Sequence, residues 1–305
     1  MALTRTDTLW QLALGKWAEI GAASPDLAPA IDLQKVILRL LVDALDALDI
    51  PSGSLLSTET VLDKWQRGIP ALRNEPVPIA DALINGLPPL CDALAAGGAG
   101  DSAAHIGQAL AKREIDGGSL LRVSLARNRK AIRSSALHHG FAPDLVWVIG
   151  ELGSSPLAYA AARSILDSMD GISRVPPELW DRGYCPCCGS WPAFIETVNS
   201  EPWLRCSYCA ATWGLASHRC VYCGISDERF ILAAPDHPSR RLELCGNCAG
   251  YTKALDVDAI TPFPLIAIVD LATMDLDAAA MSRDYRRPDL IDLDAIDPST
   301  KPACP

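Results

Sequence analysis

Four C-x-x-C pairs, Cys185/Cys188, Cys206/Cys209, Cys220/Cys223 and Cys245/Cys248, fall within 64 residues of a 305-residue chain, with 17, 10 and 21 residues between successive pairs. One such pair is a weak signal. Four in series at these gaps match two tetrathiolate metal sites. The reason is geometric: two intervening residues let a tight turn aim both thiolates at one ion, and a second turn alongside completes a tetrahedron. Gly189 and Gly224 directly follow the second cysteine of their pairs. Glycine suits that place because it accepts positive φ and lets backbone N–H groups face the sulfurs. Ala210 and Ala249 hold the equivalent places and suit them less.

Consecutive pairing assigns Cys185, Cys188, Cys206 and Cys209 to one site and Cys220, Cys223, Cys245 and Cys248 to the other; it is the simplest arrangement. A cross-braced arrangement, first pair with third and second with fourth, uses the same ligands. Four thiolates accept zinc and a single iron alike, whereas copper(I) prefers fewer. Either ion contributes folding energy on the order of 10 kcal/mol. The spacing differs from the compact run of a ferredoxin cluster, and a thioredoxin-like redox motif occurs once, in a βαβ context. Cys187 is the odd thiol. As a ligand it would leave a separation of one residue or none, so it reads as a bystander, the alternative being a reactive thiol activated by a neighbouring metal. Cys91, in an apolar helical stretch, is expected in a core, and Cys304 in solvent.

Charge narrows the function classes. The chain carries a formal net charge of −10, a poor match for nucleic acid or anionic lipid. From Asp181 to Lys253, seven basic residues face seven acidic ones, and eight thiolates around two divalent ions add four further negative charges. A nucleic-acid-binding zinc ribbon presents a basic face instead. Apolar runs such as Pro264 to Val269 fall far short of the roughly 20 residues that span a bilayer, so no membrane insertion is expected. Lys16 and Glu19 interrupt the N-terminal apolar stretch, unlike a secretory signal. Eleven cysteines, eight of them at one spacing, point to metal rather than disulfides and to the cytoplasm.

The fold class expected is α+β: an all-helical domain over 1–178, two small rubredoxin-like or zinc-ribbon knuckle modules over 179–217 and 218–255, and a C-terminal helix with an acidic tail over 256–305. Apolar residues recur at helical spacing in "LQKVILRLLVDALDALDI", which Pro51 stops. Further helices are expected near 56–67, 77–96, 102–114, 119–138 and 142–168, with breaks at the 95–102 linker and at Ser154-Ser-Pro156. In the cysteine region, "AFIETV" and "RFILAA" read as hairpin arms, and Trp191, Trp203 and Trp213 as covers for the metal sites. On one continuous helix Arg122, Arg129 and Arg133 would share a face flanked by Lys130, either a solvated face or a docking stripe for an acidic surface. One helix over 264–284 would place Asp270 and Asp277 on an exposed acidic face. No phosphate loop, dinucleotide fingerprint or hydrolase elbow is present, so no enzymatic activity is expected.

Several stretches resemble the formate dehydrogenase accessory protein (FdhE) family: "CPCCGSWP", "LRCSYCAATW", "RCVYCG", and "CGNCAGYTK" with Tyr251 and Lys253 after the last pair. The resemblance continues into "IVDLATMDLDAAAMSRDYRR", with Asp270, Leu271, Asp277 and Tyr285 in matching places, and includes "GIPAL" at 68–72. It implies a cytoplasmic, non-enzymatic maturation factor for respiratory formate dehydrogenase, with two mononuclear tetrathiolate iron sites and zinc as the alternative ion. The implied partner is the catalytic subunit of that enzyme, bound before export. Cys187 departs from the family pattern as an extra thiol in the first knuckle. A rubredoxin-like electron carrier serving the same client is the competing expectation, and a nucleic-acid-binding ribbon the third.

Overall fold

The computed structural model describes residues 5–48, 50, 55–169, 172–216, 219–227, 229–234 and 237–288. The acidic tail from 289 onward, with Cys304, lies outside these residues. Among the described residues eight α-helices precede the cysteine region: α1 (Arg5–Ala23), α2 (Ala28–Asp46), α3 (Thr58–Gln66), α4 (Asp81–Leu94), α5 (Gly100–Ala111), α6 (Gly117–Leu125), α7 (Arg129–His138) and α8 (Pro143–Asp167). Six strands follow: β1 (Phe194–Val198), β2 (Glu201–Arg205), β3 (Thr212–Trp213), β4 (Arg229–Ala234), β5 (His237–Cys245) and β6 (Tyr251–Asp256). Two short helices, α9 (Ile266–Leu271) and α10 (Met274–Met281), complete the described chain. The architecture is α+β. The chain divides into two compact units, one of Met1–Ile50 with Pro76–Ala160, the other of Pro51–Glu75 with Ala161–Pro305. Residues 55–75, 161–169 and 172–178 therefore belong with the cysteine-bearing half, which begins upstream of the composition shift that the sequence marks near 174–177.

In the first unit the apolar faces of the helices meet around Leu87, Cys91, Ile106, Leu121 and Ile149, all fully buried. Cys91 is a core residue as its sequence suggests, and burial pushes its thiol up to about 12. A Cβ on Gly107 would stand 2.9 Å from the Cys91 Cβ, so α4 and α5 touch there almost backbone to side chain. The glycine-rich 95–102 segment is no open linker: it forms a π-helical turn, Ala95–Ala99, with Gly98 at φ 116°.

Two helix expectations change. The stretch 119–138 is not one helix but α6 and α7, because Arg127 turns left-handed at φ 57° and the Asn128 side chain accepts the Ala131 N–H at 3.0 Å to cap a new start. The stripe of basic residues on a single face therefore does not form: Arg122 pairs with Asp116 at 3.7 Å and Arg129 with Asp144 at 2.9 Å. Ser154-Ser-Pro156 does not break α8, which runs through Pro156 with the Ser154 hydroxyl donating to the Gly150 carbonyl at 2.6 Å. By length and composition α8 is long and apolar enough to cross a membrane, and 61% of its most apolar window is buried inside the protein.

The second unit is built on one six-stranded sheet in the order β3-β2-β1-β6-β5-β4. The two expected knuckle modules are thus fused. β1 and β2 form the hairpin of the first, β4, β5 and β6 the sheet of the second, and a parallel β1/β6 pair, Phe194 opposite Lys253, joins them. On one face Phe194, Leu242, Leu244, Tyr251 and Leu255 pack against Ile266, Leu276 and Ala280 of the C-terminal helices. Beside that core Glu196 and Arg205, both essentially inaccessible, pair at 2.9 Å. Thr261 donates its backbone N–H to Glu196 at 3.1 Å, and the Thr261 carbonyl accepts from Arg205. The loop after β6 is thereby tied to the first hairpin.

The expected single helix over 264–284 is also two, with Thr273 at the joint returning its hydroxyl to the Val269 carbonyl at 2.9 Å. Asp270 and Asp277 do not form an exposed acidic face. Lys253 of β6, with a side chain 0% exposed, binds Asp270 at 2.6 Å and Asp277 at 2.8 Å. Arg287 bonds the same two carboxylates at 3.2 and 3.0 Å, and the Tyr251 hydroxyl donates to Asp277 at 2.8 Å. Two cations and two anions close a neutral cluster that locks α9 and α10 onto the strand following the last knuckle. Burial raises the Asp270 pKa, but the Lys253 and Arg287 charges outweigh it, and the net shift is downward. A lowered carboxylate pKa contributes stability that is present above the unfolded-state value near 3.9 and is lost as pH falls through the folded value.

Lys253→Met is expected to lower unfolding free energy by about 3 kcal/mol, the lower end of the range for breaking a buried ion pair, because Asp270 retains contact with water. Urea denaturation checks this. Wild-type stability is expected to fall as pH drops below about 4, and a variant as stable as wild type at neutral pH would show the cluster to be dispensable.

Candidate metal centres

The four C-x-x-C turns share one construction. The amide N–H of the leading cysteine donates to the carbonyl five residues on: Cys185 to Ser190 at 2.8 Å, Cys206 to Ala211 at 3.1 Å, Cys220 to Ile225 at 2.8 Å and Cys245 to Gly250 at 2.9 Å. The residue after the second cysteine is left-handed in every case, at φ 83° for Gly189, 57° for Ala210, 74° for Gly224 and 51° for Ala249. An alanine there is disfavoured by about 1 kcal/mol. That two of the turns adopt the conformation regardless shows how strongly the aim of the two sulfurs constrains the backbone.

The turns meet in consecutive pairs. Cys185, Cys188, Cys206 and Cys209 bring their sulfurs within 4.8 Å of one another, as do Cys220, Cys223, Cys245 and Cys248. Cross-bracing is absent from this arrangement. In the first group the Cys185 and Cys209 sulfurs lie 3.5 Å apart, as do those of Cys188 and Cys206. In the second, Cys220 and Cys248 are 3.7 Å apart and Cys223 and Cys245 3.6 Å. A tetrahedral ion with metal–sulfur bonds of about 2.3 Å requires sulfurs about 3.8 Å apart, so each quartet can take such an ion with small adjustments. Burial holds the metal-free thiols of Cys185, Cys206 and Cys209 well above their usual pKa, and that of Cys220 at about 12. An entering ion must displace those protons, which makes uptake more favourable as pH rises.

The two centres sit in different surroundings. Around the first, every residue from Tyr184 to Ser190 is buried, and its back is covered by a segment far upstream. The Trp65 indole N–H donates to the Pro186 carbonyl at 2.9 Å. The Ala71 N–H reaches the same carbonyl at 2.8 Å, and the Leu72 N–H the Cys187 carbonyl at 2.9 Å. The Tyr184 hydroxyl answers by donating to the Gly68 carbonyl at 2.7 Å. Lys64 shapes this strap by donating to the carbonyls of Ala71 and Arg73, both at 2.8 Å. Composition and periodicity give no hint of this contact; only the resemblance of "GIPAL" to a family motif singles the segment out.

Cys187 lies fully buried against the first quartet, its thiol interacting with those of Cys185 and Cys209. That interaction holds its pKa down to about 6 against the opposing effect of burial. Its carbonyl has the visible task of receiving Leu72. Of the three tryptophans expected over the metal sites, Trp191 bridges the two halves, edge-on to Tyr184 with centroids at 6.2 Å and to Tyr222 at 5.2 Å. Trp213 is buried with its indole N–H on the Arg182 carbonyl at 3.0 Å. Trp203 instead lies under the Arg174 guanidinium at 5.2 Å.

The first and third knuckles touch where Gly183 meets Val221: a Cβ at Gly183 would lie 1.5 Å from the Val221 carbonyl oxygen. Gly183→Ala is therefore expected to lose about 3 kcal/mol or more by forcing the two centres apart. Gly86→Ala serves as a comparison, because nothing lies within 4 Å of its added Cβ in α4 and helix propensity alone makes it neutral or stabilising. Thermal melts of the two variants side by side check the claim; a Gly183→Ala melt equal to wild type would refute it.

No family model matches the chain. Among curated proteins, an FdhE homolog of Aquifex aeolicus is 28% identical over 165 residues, covering 50% of this chain and 53% of that protein. An FdhE homolog of Shewanella baltica is 32% identical over 106 residues, 33% of this chain and 35% of its own length. Protein FdhE of Salmonella paratyphi A is 30% identical over 111 residues, 35% of this chain and 36% of that protein. The matched stretches thus span about half or about a third of the curated relatives. The crystal structure of the FdhE protein from Pseudomonas aeruginosa has the same fold, with a TM-score of 0.57 and 22% identity over 91% of this chain and 93% of that one. The curated matches are likenesses to FdhE proteins over part of the chain, and the solved structure shows a shared fold.

Proposed function

We propose that this chain is a cytoplasmic, non-enzymatic accessory protein for the assembly of formate dehydrogenase, and that it binds the catalytic subunit of that enzyme before export. The observation that carries the reading is the pair of consecutive four-cysteine groups set in one sheet, in a chain whose curated relatives and fold neighbour bear the name FdhE. In this proposal each quartet holds one iron, zinc being the alternative that the same donor set accepts. The ion supplies rigidity. Cys185, Cys188, Cys206 and Cys209 fix the first hairpin against the 64–75 strap, while Cys220, Cys223, Cys245 and Cys248 fix the β4–β6 sheet against α9 and α10. The client would then meet a preformed surface, which lowers the ordering entropy lost on binding.

A non-enzymatic role draws support from the paired carboxylates. Asp270 and Asp277 are both engaged by Lys253 and Arg287, an arrangement suited to structure rather than to proton transfer. A rubredoxin-like electron carrier is the second reading, and the partial exposure of Cys223 and Cys248 is the observation that favours it.

The test is co-purification of the full chain with the formate dehydrogenase catalytic subunit, paired with formate oxidation in a strain lacking this protein. The proposal expects a complex and a loss of activity that the wild-type chain restores. No complex together with normal formate oxidation would overturn it.

A further inference from the structure

The two centres differ most in how much solvent reaches them. The first is sealed. Its cysteines are between 0 and 4% exposed, and the carbonyls of Pro186 and Cys187 are taken up by Trp65, Ala71 and Leu72. Behind the strap Trp65 and Trp180 pack at 6.3 Å, and Trp180 meets Tyr184 edge-on at 5.2 Å. A competing ligand reaches these sulfurs only if that assembly opens.

The second is covered on one side alone. Cys220 and Cys245 are buried, but Cys223 and Cys248 are partly exposed. Around those two the chain is open: Ile225, Ser226, Gly246, Asn247 and Ala249 are all exposed, and no atom lies within 4 Å of the position a Cβ would take on Gly224. Each outer cysteine is paired across the quartet with an inner one, Cys223 with Cys245 and Cys248 with Cys220. One half of the donor set therefore faces solvent while the other half stays anchored to the sheet.

We propose that the second centre is an exchangeable metal site, entered through Cys223 and Cys248, and that the first is a permanently closed structural site. The inference rests on the reading of both quartets as metal centres and does not depend on the identity of the client. Soft ligands in solution, such as small thiols and chelators, reach Cys223 and Cys248 directly. Exchange breaks all four metal–sulfur bonds, those to Cys223 and Cys248 first and those to Cys220 and Cys245 after them. The incoming ligand's donors replace them on the ion, and each released thiolate takes a proton from the incoming thiol or from water. Cys220 and Cys245, buried in the sheet, keep the loop registered for reloading. Release from the first centre waits on local opening of the strap, whose free energy approaches that of the folded unit. The rate difference is on the order of a hundredfold or more.

The experiment uses the full chain loaded with zinc, challenged with a chromogenic chelator while N-ethylmaleimide labelling is followed by peptide mass spectrometry. The expected record is two phases of one zinc per chain each. Cys223 and Cys248 label during the fast phase, while Cys185, Cys188, Cys206 and Cys209 stay unlabelled and near-ultraviolet circular dichroism stays native. Trp65→Ala, with Tyr184→Phe as the milder alternative should the first fail to fold, is expected to accelerate the slow phase and leave the fast one unchanged. Two zinc ions released in a single phase, or first-quartet cysteines labelled as fast as Cys223, would overturn the inference while leaving the metal-centre reading standing. Failure of either quartet to retain zinc would overturn both.

Discussion

A C-x-x-C turn points two sulfurs at a place where nothing in the chain itself waits, and the second unit of this protein depends on what fills that place. Each of the four turns bends through a left-handed residue, accepting backbone strain at Ala210 and Ala249 in order to aim its thiols. The strain is repaid only when two turns share an ion, where binding is worth on the order of 10 kcal/mol. Around these two foci lies the six-stranded sheet, whose edge strand β3 is only two residues long.

The remaining contacts make one body of the two foci. Parallel β1 and β6 stitch the first hairpin to the second sheet, Trp191 stands between Tyr184 and Tyr222, and Gly183 admits the Val221 carbonyl. Elsewhere in the unit a buried ion pair and a partly buried ionic cluster tie the loops down. Glu196 and Arg205 hold the segment at Thr261, and Lys253 holds α9 and α10. Buried ion pairs of this kind add little net stability over an apolar equivalent, but they fix which segments meet. Here they fix the C-terminal helices to the strand that leaves the last cysteine.

Much of this was legible from residue order. The spacing of the cysteines pointed to the quartets, because ligand geometry is local to each turn and the simplest pairing is also the one adopted. "AFIETV" and "RFILAA" are strands as their composition suggests. What escaped the sequence were relations between distant segments. The covering of the first centre by residues 64–75 depends on backbone carbonyls and amides, which leave no compositional trace. The Lys253, Asp270, Asp277 and Arg287 cluster joins residues whose charges, taken singly, read as solvated. The break between α6 and α7 turns on Arg127 adopting a left-handed backbone, a conformation arginine seldom signals, with Asn128 the one capping residue that marks it. Where helical periodicity runs on through such a break, the pattern alone overstates helix length, as it did again at Thr273.

The account stands on the claim that two ions, held by eight thiolates, organise the second unit. Metal content per chain, measured together with the near-ultraviolet circular dichroism of the buried tryptophans Trp180 and Trp213 before and after complete removal of metal, tests it most directly. The account expects two ions per chain and collapse of the tryptophan signal when both are gone. A metal-free chain that keeps the native spectrum, or a purified protein with no ion at either quartet, would contradict it.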